Sequence, residues 1–238
     1  MALAFTPENA FHSQHYLNHN RARQDHLATL DLDLNNKKVL EVGAGIGDHT
    51  KFFLDRGCDV LVTEARDENI ATLRRLFPQL KAAKLDLEKI PADFNQTFDV
   101  VYAYGTLYHL SNPAEALAFF AKATNDLLLL ETCVSPGDHL ATNICNESVG
   151  DPTQSYSGHG CRPTRPWIFA ELKRYFPFVY MPITQPNHPE FPNDWTNVQP
   201  SPSGLVRAVF IASKNEIVNT KLTNNIPKVQ INVARYSI

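Results

Sequence analysis

"VLEVGAGIGDHT", residues Val39–Thr50, decides the fold. An apolar run leads into three glycines at alternate positions, Gly43, Gly45 and Gly47, and helix-compatible sequence follows. Glycine takes positive φ freely and lets a ligand touch the backbone. Amides at a helix start face outwards and favour an anionic or polar ligand. A bare tight turn would need glycine too, so the surroundings must choose between the two readings.

Outward from that stretch the chain alternates. "DHTKFFLDRG" reads as a helix closed by Gly57, "DVLVTEA" as a second strand, and "DENIATLRRLF" as a helix with Ile70, Leu73, Leu76 and Phe77 on one face. "LKAAKLDLEKI" holds a weaker third strand ending near Asp86. "TFDVVYAYG" is a fourth strand, "NPAEALAFFAKAT" a helix and "DLLLLETCV" a fifth strand. Strands alternating with helices mean βαβ units and a parallel sheet with right-handed crossovers. The expectation is an α/β, Rossmann-like, doubly wound sheet with ligands beyond the carboxyl ends of its strands.

Before this region, residues 7–30 read as one helix with Phe11, Tyr16, Leu17, Leu27 and Leu30 on an interrupted apolar face. We treat 1–36 as a helical cap, 37–213 as the main domain and 214–238 as a polar tail whose "VQINVARYSI" suits an added strand. Residues 135–163 and 184–203 read as long irregular loops, which are often functional lids. "TRPWIFAELKRYF" between them is a helix. "FVYMPIT" and "LVRAVFIAS" are two more strands.

The bulk numbers exclude little but are consistent. The 238 residues are 43% hydrophobic, with a formal net charge of -3. That charge argues against a protein built to grip a phosphate backbone. The N-terminus lacks the pattern of a signal peptide, and no apolar run reaches the ~20 residues of a membrane span. Cys58, Cys133, Cys145 and Cys161 form no CxxC pair, so reduced thiols and a cytoplasmic location are expected. Cys133, Cys145, His159 and Cys161 fit no standard zinc spacing, and no metal is expected.

Glu64, at the end of the second strand, lies 21 residues after Gly43. An acid there can take both hydroxyls of a ribose. The dinucleotide fingerprint would place its third glycine at position 48, where this chain has Asp48. An acid on the turn repels a pyrophosphate and argues against a nicotinamide oxidoreductase. It suits a ligand with an amino group and a sulfonium, such as S-adenosylmethionine (SAM).

"VLEVGAGIGDHT", "VTEARDEN", "KLDLEKIP" and "FDVVYAYGTLYHLSNP" together resemble the successive motifs of class I SAM-dependent methyltransferases, in order and spacing across residues 38–134. The resemblance implies a seven-stranded, mostly parallel sheet with a final antiparallel hairpin strand. It implies that the Gly43–Gly47 loop wraps the methionine part of SAM and that Glu41 orients its amino group. Glu64 and the adjoining Ala65 would hold the ribose, Asp86 and Leu87 the adenine, while Tyr104 and Gly105 wall the sulfonium. The family's usual Lys-Pro-Gly-Gly turn before the fifth strand is replaced here by "KATNDLLLLE".

His109, just after the fourth strand, is the candidate general base, because neutral imidazole titrates near working pH. A packed or capping histidine is the alternative. His159, Arg162, His188 and Trp195 on the long loops, and Arg165 at the start of the helix between them, are candidate acceptor-binding residues, the arginines suiting a carboxylate or phosphate. The back half resembles an uncharacterised bacterial methyltransferase group associated with glycan or small-metabolite modification. The leading expectation is O-methylation of a small or sugar-like acceptor, with no membrane or nucleic-acid partner. An RNA methyltransferase and a methyltransferase-like SAM-binding module without catalysis are the rivals.

Overall fold

The structure, a computed structural model, describes residues 6–199 and 201–233. The chain opens with two helices, α1 (Pro7–Phe11) and α2 (Gln14–Thr29). The expected single helix is broken because the Ser13 side chain caps α2, accepting from the Tyr16 amide. Such a cap satisfies an amide that the helix start leaves unpaired. The α/β alternation follows with β1 (Lys38–Val42), α3 (Thr50–Leu54), β2 (Asp59–Glu64), α4 (Asp67–Leu76), β3 (Lys81–Lys84) and β4 (Phe98–Tyr104). A single 3-10 turn at Leu107–His109 leads to α5 (Pro113–Ala123), which runs without a connecting loop into β5 (Thr124–Cys133).

The loop expected at 135–163 is not wholly irregular. It contains the antiparallel pair β6 (Ile144–Asn146) and β7 (His159–Cys161). Then come α6 (Arg165–Lys173), β8 (Phe178–Pro182), β9 (Thr184–Gln185), β10 (Arg207–Ser213), β11 (Leu222–Thr223) and β12 (Ile231–Asn232). The main sheet has the order β11-β8-β10-β5-β4-β1-β2-β3. The seven expected strands are present, and β11, from the segment read as a polar tail, adds an eighth at the edge, antiparallel to β8. The β10 strand runs antiparallel to both β5 and β8. The added strand expected in "VQINVARYSI" is β12, which pairs with β9 rather than with the main sheet; residues 234–238 of that stretch lie outside the described residues.

Both faces of the sheet are covered, so its strands are apolar on both sides. Leu128 and Leu130 of β5 pack on one face with Leu117, Phe120 and Ile168. Leu127 and Leu129 pack on the other with Leu27, Phe53 and Leu73. The chain starts at β1 in the middle, winds outwards to β3, and returns to β4 on the other side of β1. The strand order reverses between β1 and β4, and a crevice opens beyond their carboxyl ends. At that point the two strand ends nearly touch. A Cβ on Gly43, whose φ is +65°, would lie 2.4 Å from Thr106 Oγ1, which itself donates to Val42 O at 2.8 Å.

Candidate active site

The crevice is the mouth of a cavity of about 1040 Å³, counting its open end. Its floor is the Gly43–Gly45 turn, Glu41 and Glu64; its walls are the ends of β3 and β4. Its roof is the N-terminal helical pair, through Phe11, Tyr16, His19, Asn20 and Arg23, together with Thr153, Gln154 and Tyr156 of the long loop. Gly45, at φ +58°, lies directly under the Phe11 ring, where a Cβ would meet the ring carbons at 2.6 Å. The loop is bare because roof and ligand must both approach it.

Glu64 is buried, and its carboxylate is fixed by three backbone amides: Gly45 at 2.8 Å, Ala65 at 2.9 Å and Arg66 at 3.0 Å. Burial raises its carboxyl above the ordinary value, and these amides pull the other way. Glu41 accepts from Thr50 Oγ1 at 2.6 Å, and its burial pushes it up to about 7. Asp48, raised by burial, meets His12 at 3.2 Å and Asn20 at 3.4 Å, tying the turn to the roof. Asp86 closes its own turn by accepting from the Glu88 amide at 2.9 Å, and buried Leu87 follows it into the cavity wall. Tyr104 stacks on Tyr102 with centroids 4.4 Å apart.

His109 lines the cavity and is held by a carboxylate. Its Nδ1 lies 2.5 Å from Glu147 Oε2, and Glu147 in turn accepts from Arg162 at 3.0 Å and from the Ser155 amide at 2.8 Å. Burial works against the charge on Glu147, but His109, Ser155 and Arg162 outweigh it and hold the carboxyl down to about 2. An ionised carboxylate only accepts, so Nδ1 carries the proton and Nε2 keeps its lone pair. Burial lowers His109 below its ordinary value while Glu147 opposes that shift. The imidazole is therefore neutral at neutral pH and oriented by its second nitrogen, as a general base requires.

Of the residues singled out in the sequence, Glu41, Gly43, Gly45, Glu64, Ala65, Asp86, Leu87, Tyr104, Gly105 and His109 all line this one cavity. Gly47 does not; its φ of +92° serves the turn, and a Cβ there would meet Phe77 and Leu73 at 3.4 and 3.5 Å. His159, Arg162, Arg165, His188 and Trp195, expected on the acceptor side, lie outside this lining. His159 is exposed on β7. Arg162 is taken up by Glu147 and the carbonyls of Tyr108 and Cys161. Arg165 stacks on Trp195 at 3.7 Å and donates to Pro227 O, clamping the tail. The Trp195 indole N–H is spent on Gln230. His188 packs behind the roof against His15 and His19. Among the described residues no group of three metal-ligating side chains is assembled.

The sequence reading missed the roof. Tyr16, His19, Asn20 and Arg23 fall at helical spacing on one face of α2, where an apolar face was expected, and Leu17 is exposed instead. A polar stripe at positions i, i+3, i+4 and i+7 was the available signal. It also missed a buried charge network. Arg23 donates to Glu131 at 2.8 Å, and Arg207 donates to Glu131 at 3.1 Å and to Glu190 at 2.6 Å. Buried charges survive when paired in this way. Glu131 inside "LLLLETCV" and Arg207 inside "VRAVF" were its traces.

The residues present fit an adenosyl ligand with a methionine end. Asn69 Oδ1 and Arg66 Nε, buried beside Glu64, have no hydrogen-bond partner, and the glycine turn leaves its backbone open. The comparisons agree. The model of a methyltransferase domain family matches residues 13–166, and the chain belongs to that family. It is 34% identical over 117 residues to the tRNA U34 carboxymethyltransferase of Pseudomonas savastanoi pv. phaseolicola, over 45% of this chain and 36% of that protein. An uncharacterized methyltransferase of Mycobacterium tuberculosis is 34% identical over 86 residues, 36% of this chain and 35% of that one. The chain thus spans about a third of the length of the curated relatives it matches.

Among solved structures, the N-terminal domain of EvdMO1, crystallised in the presence of S-adenosylhomocysteine (SAH) and D-fucose, aligns with a TM-score of 0.62 at 20% identity. The alignment covers 84% of each chain. A SAM-dependent methyltransferase from Mesorhizobium loti aligns at 0.57 and 14% identity, over 81% of this chain and 97% of that one. These likenesses show the fold.

Proposed function

We propose that the protein O-methylates a small, sugar-like acceptor, with His109 as the general base. The observation that supports this most is the His109–Glu147–Arg162 chain at the cavity wall. A hydroxyl must lose its proton as it becomes an ether, and a neutral imidazole with its Nδ1 proton tied to a carboxylate is built to take it. In the same reading the Gly43–Gly45 turn, Glu41 and Asp48 hold the methionine end. Glu64 and Ala65 hold the ribose, Asp86 and Leu87 the adenine, and Tyr104 and Gly105 flank the sulfonium. When bound, SAM supplies an electrophilic methyl carbon. His109 Nε2 takes the acceptor's proton, Glu147 stabilises the imidazolium that forms, and the roof helices exclude water and fix the approach.

We propose that residues 37–213 form the methyltransferase domain, with 1–36 as a helical cap, of which the described residues 6–36 supply the roof, and 214–238 as a polar tail, of which β11 adds an edge strand. The four free cysteines support a reducing compartment such as the cytoplasm. Among the described residues no helix is long and apolar enough to cross a membrane. The relatives' names support tRNA as the second reading. An RNA acceptor would enter as an extruded base, and α1 and α2 roof the cavity against one. The D-fucose in the neighbour's crystals supports the sugar-like reading.

The test is incubation with SAM and a panel of hydroxylated small molecules, D-fucose first, and in parallel with unmodified tRNA, following SAH release. The reading expects a methyl ether product. It also expects His109→Gln to lower turnover by roughly 100-fold or more with SAH affinity unchanged. Turnover on tRNA alone would replace it.

A further inference from the structure

Among the described residues, seven keep a buried side-chain nitrogen or oxygen without a hydrogen-bond partner, and five of these line the cavity. Native proteins leave few such atoms, and their concentration in one wall calls for a ligand that supplies the partners. Arg66 and Asn69 stand beside Glu64, at the end assigned to the cofactor. Arg23 already donates to Glu131 and Asn20 through its terminal nitrogens. What remains is His19, with both ring nitrogens unbonded, and the hydroxyl of Tyr104.

His19 is 1% exposed and sits one helical turn before Arg23 on the roof. Its ring is held by packing: His188 lies 5.1 Å away between centroids, Phe191 6.0 Å and His15 6.1 Å. Glu190 Oε2 approaches Nε2 only to 3.8 Å, too far for a hydrogen bond. Tyr104 lies at the end of β4 beneath the roof. Its stacking partner Tyr102 spends its hydroxyl on His49 Nδ1 at 2.6 Å, whereas the Tyr104 hydroxyl bonds nothing in the protein.

We propose that His19 and Tyr104 form a subsite that hydrogen-bonds the hydroxyl groups of an uncharged, polyhydroxylated acceptor. This deepens the O-methylation reading and rests on it. Burial, with Arg23 and Arg207 nearby, holds His19 well below its ordinary value, so it is a neutral ring. A neutral imidazole offers one donor and one acceptor, and a phenol offers both. A hydroxyl satisfies either kind of partner, whereas a carboxylate leaves the imidazole lone pair facing an anion. The two guanidiniums nearest His19 are already committed within the wall, so neither is free to take up a carboxylate. Arg23 and Arg207 are matched by Glu131 and Glu190 within the wall.

The experiment uses the full chain loaded with SAH, titrated with D-fucose, D-galactose, myo-inositol and D-glucuronate, with binding read by saturation-transfer NMR. At least one of the three uncharged polyols binds, and glucuronate binds more weakly than that polyol. His19→Phe lowers polyol affinity about five-fold, the loss of an ordinary hydrogen bond, and keeps its SAH affinity. Tyr104→Phe lowers polyol affinity similarly. If His19→Phe fails to fold, the His19 ring nitrogen resonances of the wild type carry the same test, shifting on addition of polyol. Binding of none of the three polyols, tighter binding of glucuronate, or wild-type polyol affinity in His19→Phe overturns the subsite. His19-dependent polyol binding without any SAH formed from SAM upholds the subsite and overturns the O-methylation reading.

Discussion

Replacing Glu147 by Gln changes the charge that faces His109 while keeping the shape of the side chain. In the native protein the His109 Nδ1 proton is bonded to an ionised carboxylate at 2.5 Å. A hydrogen bond to a charged partner is worth about twice one to a neutral partner. Taking ~1 kcal/mol for the neutral bond and ~2.4 for the charged one, the substitution withdraws about 1.4 kcal/mol of support from the imidazolium. That is about one pKa unit and about tenfold in rate. His109 lies below its ordinary value because burial outweighs Glu147, so Glu147→Gln moves it further down. The acid limb of the rate profile shifts to lower pH by about one unit, and the plateau falls about tenfold, since a weaker base assists less.

Arg162→Met has the opposite sign. Arg162 lowers His109 and competes for Glu147 at 3.0 Å, so its removal raises the limb. The limb can be followed without an acceptor by NMR titration of the histidine Cε1–H signals in SAH-loaded protein. The chain has nine histidines, so His109→Gln provides the assignment. Shifts of the same sign in Glu147→Gln and Arg162→Met, or no shift in either, would refute the dyad.

Gly43→Ala places a methyl 2.4 Å from Thr106 Oγ1 at a φ of +65°, and calorimetry should show SAH affinity down by roughly tenfold or more, as a turn strained by ~1–3 kcal/mol implies. Arg207→Met leaves Glu131 and Glu190 buried without their shared cation, and urea denaturation should show a loss of about 3–5 kcal/mol. Glu147 sits at about 2 against an ordinary 4.5, so it contributes stability above pH 4.5 that is lost as pH falls towards 2. Glu147→Gln removes that titration and should flatten the acid limb of the stability curve.

What could be read from the sequence was whatever local chemistry enforces. The three-glycine turn, Glu64 and the apolar strands announce themselves because each residue's type is required where it stands. Asp86 and Leu87 came only from the family resemblance, and β3 ends two residues before Asp86, at Lys84. Of the residues we assign to the acceptor side, Tyr104 and His109 were singled out in the sequence, but His19 of α2 and Glu147 of the long loop were not, because only tertiary packing brings them to the cavity wall. Arg165 and Trp195 looked like ligand-binding groups because a guanidinium and an indole recognise ligands well. The same properties make them good clamps for the protein's own tail, through Pro227 and Gln230.

The buried charges suggest why the roof belongs to the site rather than merely covering it. Arg23 carries α2 to Glu131 on β5, and Glu131 also receives Arg207 from β10. Arg207 continues to the Tyr108 hydroxyl at 3.1 Å, beside His109. Opening the roof would strip Glu131 of one of its two cations, and an uncompensated buried carboxylate is costly. The helix that carries His19 in the cavity wall is therefore pinned to the sheet by the same strand whose neighbour, β4, leads into the candidate base. Arg23→Met should loosen that coupling. Hydrogen exchange in α2 should then quicken while exchange in β1 and β2 stays slow, and uniform quickening across the sheet would show that Arg23 supports the whole fold instead of the roof.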